Sequence, residues 1–301
     1  MTLVWLPFPA SDLGDLGTLD RHFTFETYAS GSSLASMGEV EIWVPSFQIV
    51  APFADLFPQM PRLRLVQMLS AGVDHVAHVV PDGVTLCNAR GVHDASTSEM
   101  GLALILASLR DIPGFVQAQT QGRWLPLVER GSLADRTVLI VGYGSIGAAL
   151  ERRLSGFECE VKRVARHARP GVHTVGELPD LLPTADVVVI LTPLNDETLH
   201  LVDAEFLGAM KEGALLVNLA RGRVVDTDAL VAETTSGRLR AALDVTDPEP
   251  LPADHALWRI PGVLISPHAA GATTATKPRT MALLRDQLAR YAEGRELRNV
   301  V

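Results

Sequence analysis

Two cysteines in 301 residues, Cys87 and Cys159, are too few and too far apart for a disulfide scaffold or a thiolate metal site. They read instead as buried thiols in a reducing compartment. No apolar run reaches the roughly 20 residues needed to cross a bilayer; the longest in a helical context covers residues 100–109. The apolar first ten residues have no basic stretch before them, and Asp12 and Asp15 follow, so a cleaved signal peptide is not expected and the cytoplasm is. Positive charge is also short. Lys and Arg number 26 against 35 Asp and Glu, a formal net charge of -9 that repels nucleic acid and anionic membrane surfaces. Neither is expected as a partner, and any anionic ligand must meet a local basic site. Internal repeats and low-complexity tracts are absent.

What is present is ordinary globular composition, 47% hydrophobic and 20% charged, over a length at which single cores usually divide in two. Short β-type runs at residues 3–6, 41–44, 63–67 and 84–87 alternate with helical segments, which predicts a small α/β unit. Residues 98–110 are apolar on nearly every side, so this helix is either central core or packed against another subunit. Six further apolar strands are predicted at 137–141, 160–164, 187–191, 214–218, 239–243 and 263–266. With helical spacers they imply a parallel sheet covered on both faces. The amphipathic stretch 277–291 comes after the last strand and is expected to return to the first unit.

Gly142-Tyr143-Gly144-Ser145-Ile146-Gly147 follows the strand 137–141 and opens an amphipathic run, the context a dinucleotide-binding fingerprint requires. Gly142 permits the tight turn, Gly144 lets the backbone approach a pyrophosphate, and Gly147 allows close packing of helix on strand. The helix N-terminus adds N–H donors and positive potential. An NAD site of this kind normally carries Asp or Glu about 20 residues on, where the carboxylate binds the ribose hydroxyls. Here residues 161–176 contain no acid, and Val164-Ala165-Arg166-His167-Ala168-Arg169 offers guanidinium groups suited to a 2′-phosphate. NADP is therefore expected over NAD, with Arg166 and Arg169 as its contacts.

Three more segments lie at or just after predicted strand ends, where open α/β sheets bind ligands. They are Asn218-Leu219-Ala220-Arg221-Gly222, Asp244-Val245-Thr246-Asp247-Pro248-Glu249-Pro250 and Ser266-Pro267-His268. From the side chains alone, Arg221 has the planar fork to hold a carboxylate and polarise an adjacent carbonyl. His268 is the side-chain type that both gives and takes a proton near neutrality, and a carboxylate such as Glu249 behind it favours the charged imidazolium. His75 and His78, three apart, have no third ligand beside them, so no metal is expected. His93-Asp94, ahead of the apolar helix, reads as a cap or a pocket element.

The order and spacing of the glycine motif and these three segments resemble the D-isomer-specific 2-hydroxyacid dehydrogenase family over essentially the whole chain, most strongly from Arg136 to Gly271. The resemblance implies Arg221, Glu249 and His268 as catalytic groups and Asp244 as a contact of the nicotinamide carboxamide. It places Thr192, Pro193, Leu219, Ala220, Gly271 and His268 at the cofactor as well. Leu69-Ser70-Ala71-Gly72-Val73-Asp74 resembles the family loop whose backbone N–H groups, at Ala71, Gly72 and Val73, bind the substrate carboxylate opposite Arg221. Thr246, where an aromatic is frequent, and Ser266, where threonine is usual, depart from the common pattern.

The resulting expectation is an α/β protein with a Rossmann dinucleotide-binding domain, a doubly wound parallel sheet, at 96–271. A smaller flavodoxin-like α/β substrate domain is expected at 1–95, completed by 272–301, with a cleft between the two. The implied activity is hydride transfer between NAD(P)H and a small 2-oxo or 2-hydroxy acid, in the direction of a glyoxylate- or hydroxypyruvate-type reductase. A homodimer through residues 98–110 is expected. Phosphoglycerate, formate or phosphite oxidation on the same scaffold, or a dinucleotide-sensing corepressor-like binding protein, are the alternatives.

Overall fold

The structure, a computed structural model, describes residues 1–28, 36–46 and 52–301. It divides into two units, Met1–His93 with Thr274–Val301, and Asp94–Thr273. The first contains β1 (Thr2–Leu6), β2 (Phe23–Thr27), β3 (Ile42–Trp43), α1 (Phe53–Leu56), β4 (Leu65–Gln67) and β5 (Thr85–Cys87). Its five strands pair in parallel in the order β2-β1-β3-β4-β5, the flavodoxin-like arrangement. Successive side chains point to opposite faces. Val4, Leu6, Ile42 and Leu65 enter one apolar cluster, while Trp5, Trp43 and Val66 enter the other.

The second unit begins with α2 (Asp94–Arg110), α3 (Ile112–Thr120), β6 (Thr137–Val141), α4 (Ser145–Leu154), β7 (Glu160–Ala165) and β8 (His173–Thr174). It continues through α5 (Leu178–Leu181), β9 (Val187–Ile190), α6 (Ala204–Ala209), β10 (Leu215–Asn218), α7 (Thr227–Thr235), β11 (Arg240–Leu243) and β12 (Val263–Ile265). The seven strands form one parallel sheet, β12-β11-β10-β9-β6-β7-β8. Read from β8, this is the doubly wound order, whose direction reverses between β6 and β9. Both faces are covered: Leu139, Val141, Val188 and Leu216 pack on one side, and Val138, Ile140, Val189 and Val217 on the other. Helix α2 belongs to this core, because Leu104, Ile105 and Leu109 pack with Val138, Ile140 and Leu150. Its buried side chains are part of the core of its own unit.

The last helix, α8 (Thr276–Ala292), lays Met281, Leu284 and Leu288 against Val4, Leu6 and Leu65 of the first unit. Buried Gln287 donates to the side-chain oxygen of buried Gln67 at 2.8 Å, which satisfies two polar groups the core would otherwise strand. Beyond α8, Val300 pairs antiparallel with Cys87, and the Val301 N–H donates to the Leu86 carbonyl at 3.0 Å, covering the edge of β5. Both cysteines are free thiols. Cys87 is buried, which pushes its thiol up to about 11, whereas Cys159 is only half-buried, contrary to the sequence expectation. Among the described residues no helix is long and apolar enough to cross a membrane.

Candidate active site

The glycine loop stands where the strand order of the larger sheet reverses. Gly142 has φ 100°, a left-handed conformation that favours glycine, and a Cβ built on it would overlap the backbone of Leu191 and Thr192 at the end of β9. The N–H groups of Gly142 and Tyr143 both donate to the Val164 carbonyl, at 2.9 and 2.8 Å, which ties the loop to β7. Gly144 caps α4 and has open space where a Cβ would stand; Gly147 packs against Ile140 and Tyr143. Ser145, the first residue of α4, donates its hydroxyl to Asp94 Oδ1 at 3.0 Å. Across the crevice, the buried Thr192 hydroxyl has no partner among the described residues. An open backbone cradle, a ten-residue helix without an acid in its first turn and an unspent buried hydroxyl suit a dinucleotide pyrophosphate and its sugar.

At the end of β7 the chain passes from Ala165 to Arg166, the position of the usual ribose-binding acid. Arg166 is exposed and pairs with Glu197 at 2.7 Å. Arg169 lies over the Tyr143 ring, 5.5 Å from its centre, and donates to the Tyr143 carbonyl. Arg163 stands 5.8 Å from the same ring and grips Glu151, whose carboxyl it holds below its ordinary value. Burial and the neighbouring Glu151 push the Tyr143 phenol up. Neither Tyr143 as a stacking platform nor Glu197 as the partner of Arg166 emerged from the sequence. The arginine-rich strand end did.

The three segments expected to carry the chemistry follow β10, β11 and β12, at one edge of the parallel sheet. Asn218, buried at the end of β10, donates to the Arg221 carbonyl and accepts from the Ala220 N–H, both at 3.0 Å, fixing the turn that presents Arg221. Leu219 and Ala220 are buried within that turn. Directly after it, a Cβ on Gly222 would overlap the Thr246 carbonyl, so the Arg221 turn and the loop bearing Glu249 touch backbone to backbone. Thr227 of α7 donates to the Asp247 carbonyl at 2.9 Å, and Thr246 to that of Pro248 at 2.9 Å. The peptides before Pro248 and Pro250 are cis.

Asp244, 2% exposed, accepts from the Ser266 hydroxyl at 2.6 Å and from the Ala269 and Ala270 N–H groups at 2.9 and 3.0 Å. Its carbonyl accepts from the His268 N–H at 2.7 Å. This clamp holds His268 at φ 51°, a conformation uncommon for a residue with a side chain. His268 Nδ1 then lies 2.5 Å from Glu249 Oε1. Both side chains are exposed, at 47% and 40%. The two departures from the common family pattern, Thr246 and Ser266, are thus both hydrogen-bonded supports of the loops they occupy. Pro193 is exposed beyond β9, and half-buried Gly271 follows the His268 turn.

In the first unit, Ala71, Gly72 and Val73 follow β4 and are half-buried. Ser70 donates to the Gly72 carbonyl at 2.7 Å, and His93 Nε2 lies 2.8 Å from the Leu69 carbonyl, so both ends of the turn are held. The backbone N–H groups of Ala71, Gly72 and Val73 have no acceptor among the described residues, leaving three successive donors for an anion. His75 packs on Phe53, and no group of three or more metal-ligating side chains occurs among the described residues.

Residues 102–270 match the model described as D-isomer specific 2-hydroxyacid dehydrogenase, NAD binding domain. A glyoxylate reductase of Korarchaeum cryptofilum is 33% identical over 262 residues, spanning 82% of this chain and 79% of that protein. The chain belongs to this family. It is an NAD(P)-dependent oxidoreductase of the 2-hydroxyacid dehydrogenase type. A 2-hydroxyacid dehydrogenase from Xanthobacter autotrophicus, solved with NADPH and MES, superposes with a TM-score of 0.84 at 29% identity, over 100% of this chain and 97% of that one. An NADPH-dependent glyoxylate/hydroxypyruvate reductase from Sinorhizobium meliloti, solved with NADP and malonate, gives a TM-score of 0.83 at 27% identity, over 100% and 96%.

Proposed function

We propose that this 2-hydroxyacid dehydrogenase reduces a small 2-oxo acid of the glyoxylate or hydroxypyruvate kind and prefers NADPH to NADH. The observation that carries the reading is the His268–Glu249 pair at 2.5 Å, on a loop docked through Gly222 onto the Arg221 turn. Relatives of the same scaffold named for glyoxylate and hydroxypyruvate reduction support the substrate class.

The bound reduced nicotinamide supplies the hydride. Arg221 holds the substrate carboxylate and offsets the charge that develops on the carbonyl oxygen. With Nδ1 against Glu249, the imidazole of His268 presents Nε2 to that oxygen and delivers its proton. Glu249 fixes the ring orientation through this contact. Asp244 keeps the His268 turn in place through three accepted hydrogen bonds, and its position after β11 suits a contact with the nicotinamide end. The unspent N–H groups of Ala71 to Val73 make that turn a carboxylate-binding loop. Gly142 to Gly147, Thr192, Pro193, Leu219, Ala220 and Gly271 hold the cofactor, with Arg166 and Arg169 at its adenosine end. The first unit is the substrate domain and the second the dinucleotide domain.

The cofactor preference is tested by titrating NADPH and NADH into the protein. NADPH binds more tightly, and Arg166→Ala weakens NADPH while leaving NADH nearly unchanged; equal affinities for the two in the native chain would overturn the preference.

We also propose a homodimer in the cytoplasm. Helix α3 and the segment after it expose Ile112, Phe115, Val116, Trp124, Leu127 and Val128, with Trp124 and Leu127 fully exposed, a run that a second copy would cover. Sedimentation equilibrium gives a dimer that Leu127→Glu dissociates. A monomeric native chain at micromolar concentration contradicts it.

A further inference from the structure

We infer that Glu197 sets the strength of 2′-phosphate recognition by occupying the Arg166 fork in the free protein. The sequence lacks an acid at the end of β7, but the fold returns one to that place from the loop after β9. Glu197 Oε1 lies 2.7 Å from Arg166 Nη2. No other hydrogen bond or ion pair engages either side chain among the described residues.

The loop that carries Glu197 is held in place. Asn195 Oδ1 accepts from the backbone N–H groups of Glu197 and Thr198, at 3.0 and 3.1 Å, and the Thr198 hydroxyl donates to the Pro193 carbonyl at 2.6 Å. Pro193 adjoins Thr192, so the same short loop borders the cofactor crevice at one end and presents the carboxylate to Arg166 at the other. Its backbone is fixed before any ligand arrives.

A guanidinium fork binds a carboxylate and a phosphate with the same donors. A 2′-phosphate must therefore displace Glu197 from Arg166 and then sit beside its negative charge. The pair is exposed, so it is weak and the phosphate wins; the cost is a tempered affinity and not exclusion. A cofactor with a 2′-hydroxyl requires no displacement. Glu197 thus acts through Arg166 as a specificity-setting residue that narrows the gap between NADPH and NADH.

This inference rests on the reading of Arg166 as the 2′-phosphate contact, and a double-mutant cycle separates the two. Calorimetric titration of 2′,5′-ADP and of ADP into the native chain, Glu197→Gln, Arg166→Ala and the double variant reads binding without turnover. Glu197→Gln is expected to tighten 2′,5′-ADP about threefold or more while moving ADP less than about twofold, with the gain shrinking as salt screens the exposed charges. The gain disappears in the Arg166→Ala background. If Arg166→Ala weakens 2′,5′-ADP but Glu197→Gln leaves it unchanged or weaker, the inference on Glu197 fails and the reading of Arg166 stands. If Arg166→Ala leaves 2′,5′-ADP unchanged, both fail. Equal tightening of ADP and 2′,5′-ADP overturns the inference in favour of a general loop effect.

Discussion

His268→Ala lowers turnover of a 2-oxo acid at least about a hundredfold while leaving NADPH affinity close to that of the native chain. Loss of a positioned general acid typically costs a factor of about a hundred to ten thousand. The structure gives the reason the loss falls on the chemical step. The backbone of the His268 turn is held by Asp244, which accepts from Ser266, Ala269 and Ala270, and none of these bonds uses the imidazole. Removing the ring therefore removes the proposed proton donor and leaves the turn standing. Steady-state rates with saturating NADPH, beside NADPH titration followed by fluorescence, check the two halves of the expectation. Turnover within a few-fold of the native value removes His268 from the reaction.

The second large effect is structural. Gly222→Ala forces a methyl group into the Thr246 carbonyl, where both sides of the contact are backbone and neither has a side chain to move aside. The turns that present Arg221 and Glu249 must separate. Overpacking of this kind destabilises by about 3 kcal/mol or more, which in a unit of this size lowers the melting midpoint by about 6 to 12 °C. Activity falls too, since the Arg221 turn is displaced from the loop that carries Glu249. A thermal melt beside a rate measurement at 25 °C reads both. A native midpoint with native activity would mean that the two turns do not pack as described.

Much of this architecture was legible because the larger sheet is buried on both faces. A strand covered on both sides is apolar wherever it is buried, so residues 138–141 and Val187–Ile190 stand out as unbroken apolar runs. The strands that escaped notice are those without this constraint. Phe23–Thr27 is an outer strand with polar residues interleaved, and His173–Thr174 is a two-residue strand at the other sheet's edge. The apolar helix α2 was ambiguous for the converse reason: burial against a sheet and burial against a second subunit demand the same side chains. Its contacts with Val138 and Ile140 place its buried side chains against the sheet.

The proposed catalytic trio was legible because each member sits in a short local segment whose residue types serve one chemistry. Its supports were not. The Asp244 clamp joins residues 22 to 26 positions apart, and the Arg166–Glu197 pair spans 31. Such contacts depend on which strands are neighbours in the sheet, and no local pattern encodes that. The order β12-β11-β10 places the Ser266, Asp244 and Asn218 ends side by side, and the clamp follows from it. Likewise, the adjacency of β6 and β9 brings Gly142 against Thr192.

The central claim is that this chain reduces a 2-oxo acid with NADPH, and loss of reduced-nicotinamide absorbance in the presence of glyoxylate, hydroxypyruvate, pyruvate or phenylpyruvate tests it most directly. With each acid offered alongside NADPH and, separately, NADH, NADPH is expected to be oxidised faster than NADH, with glyoxylate or hydroxypyruvate the best substrate. Absence of oxidation of either cofactor with all four acids would contradict the account.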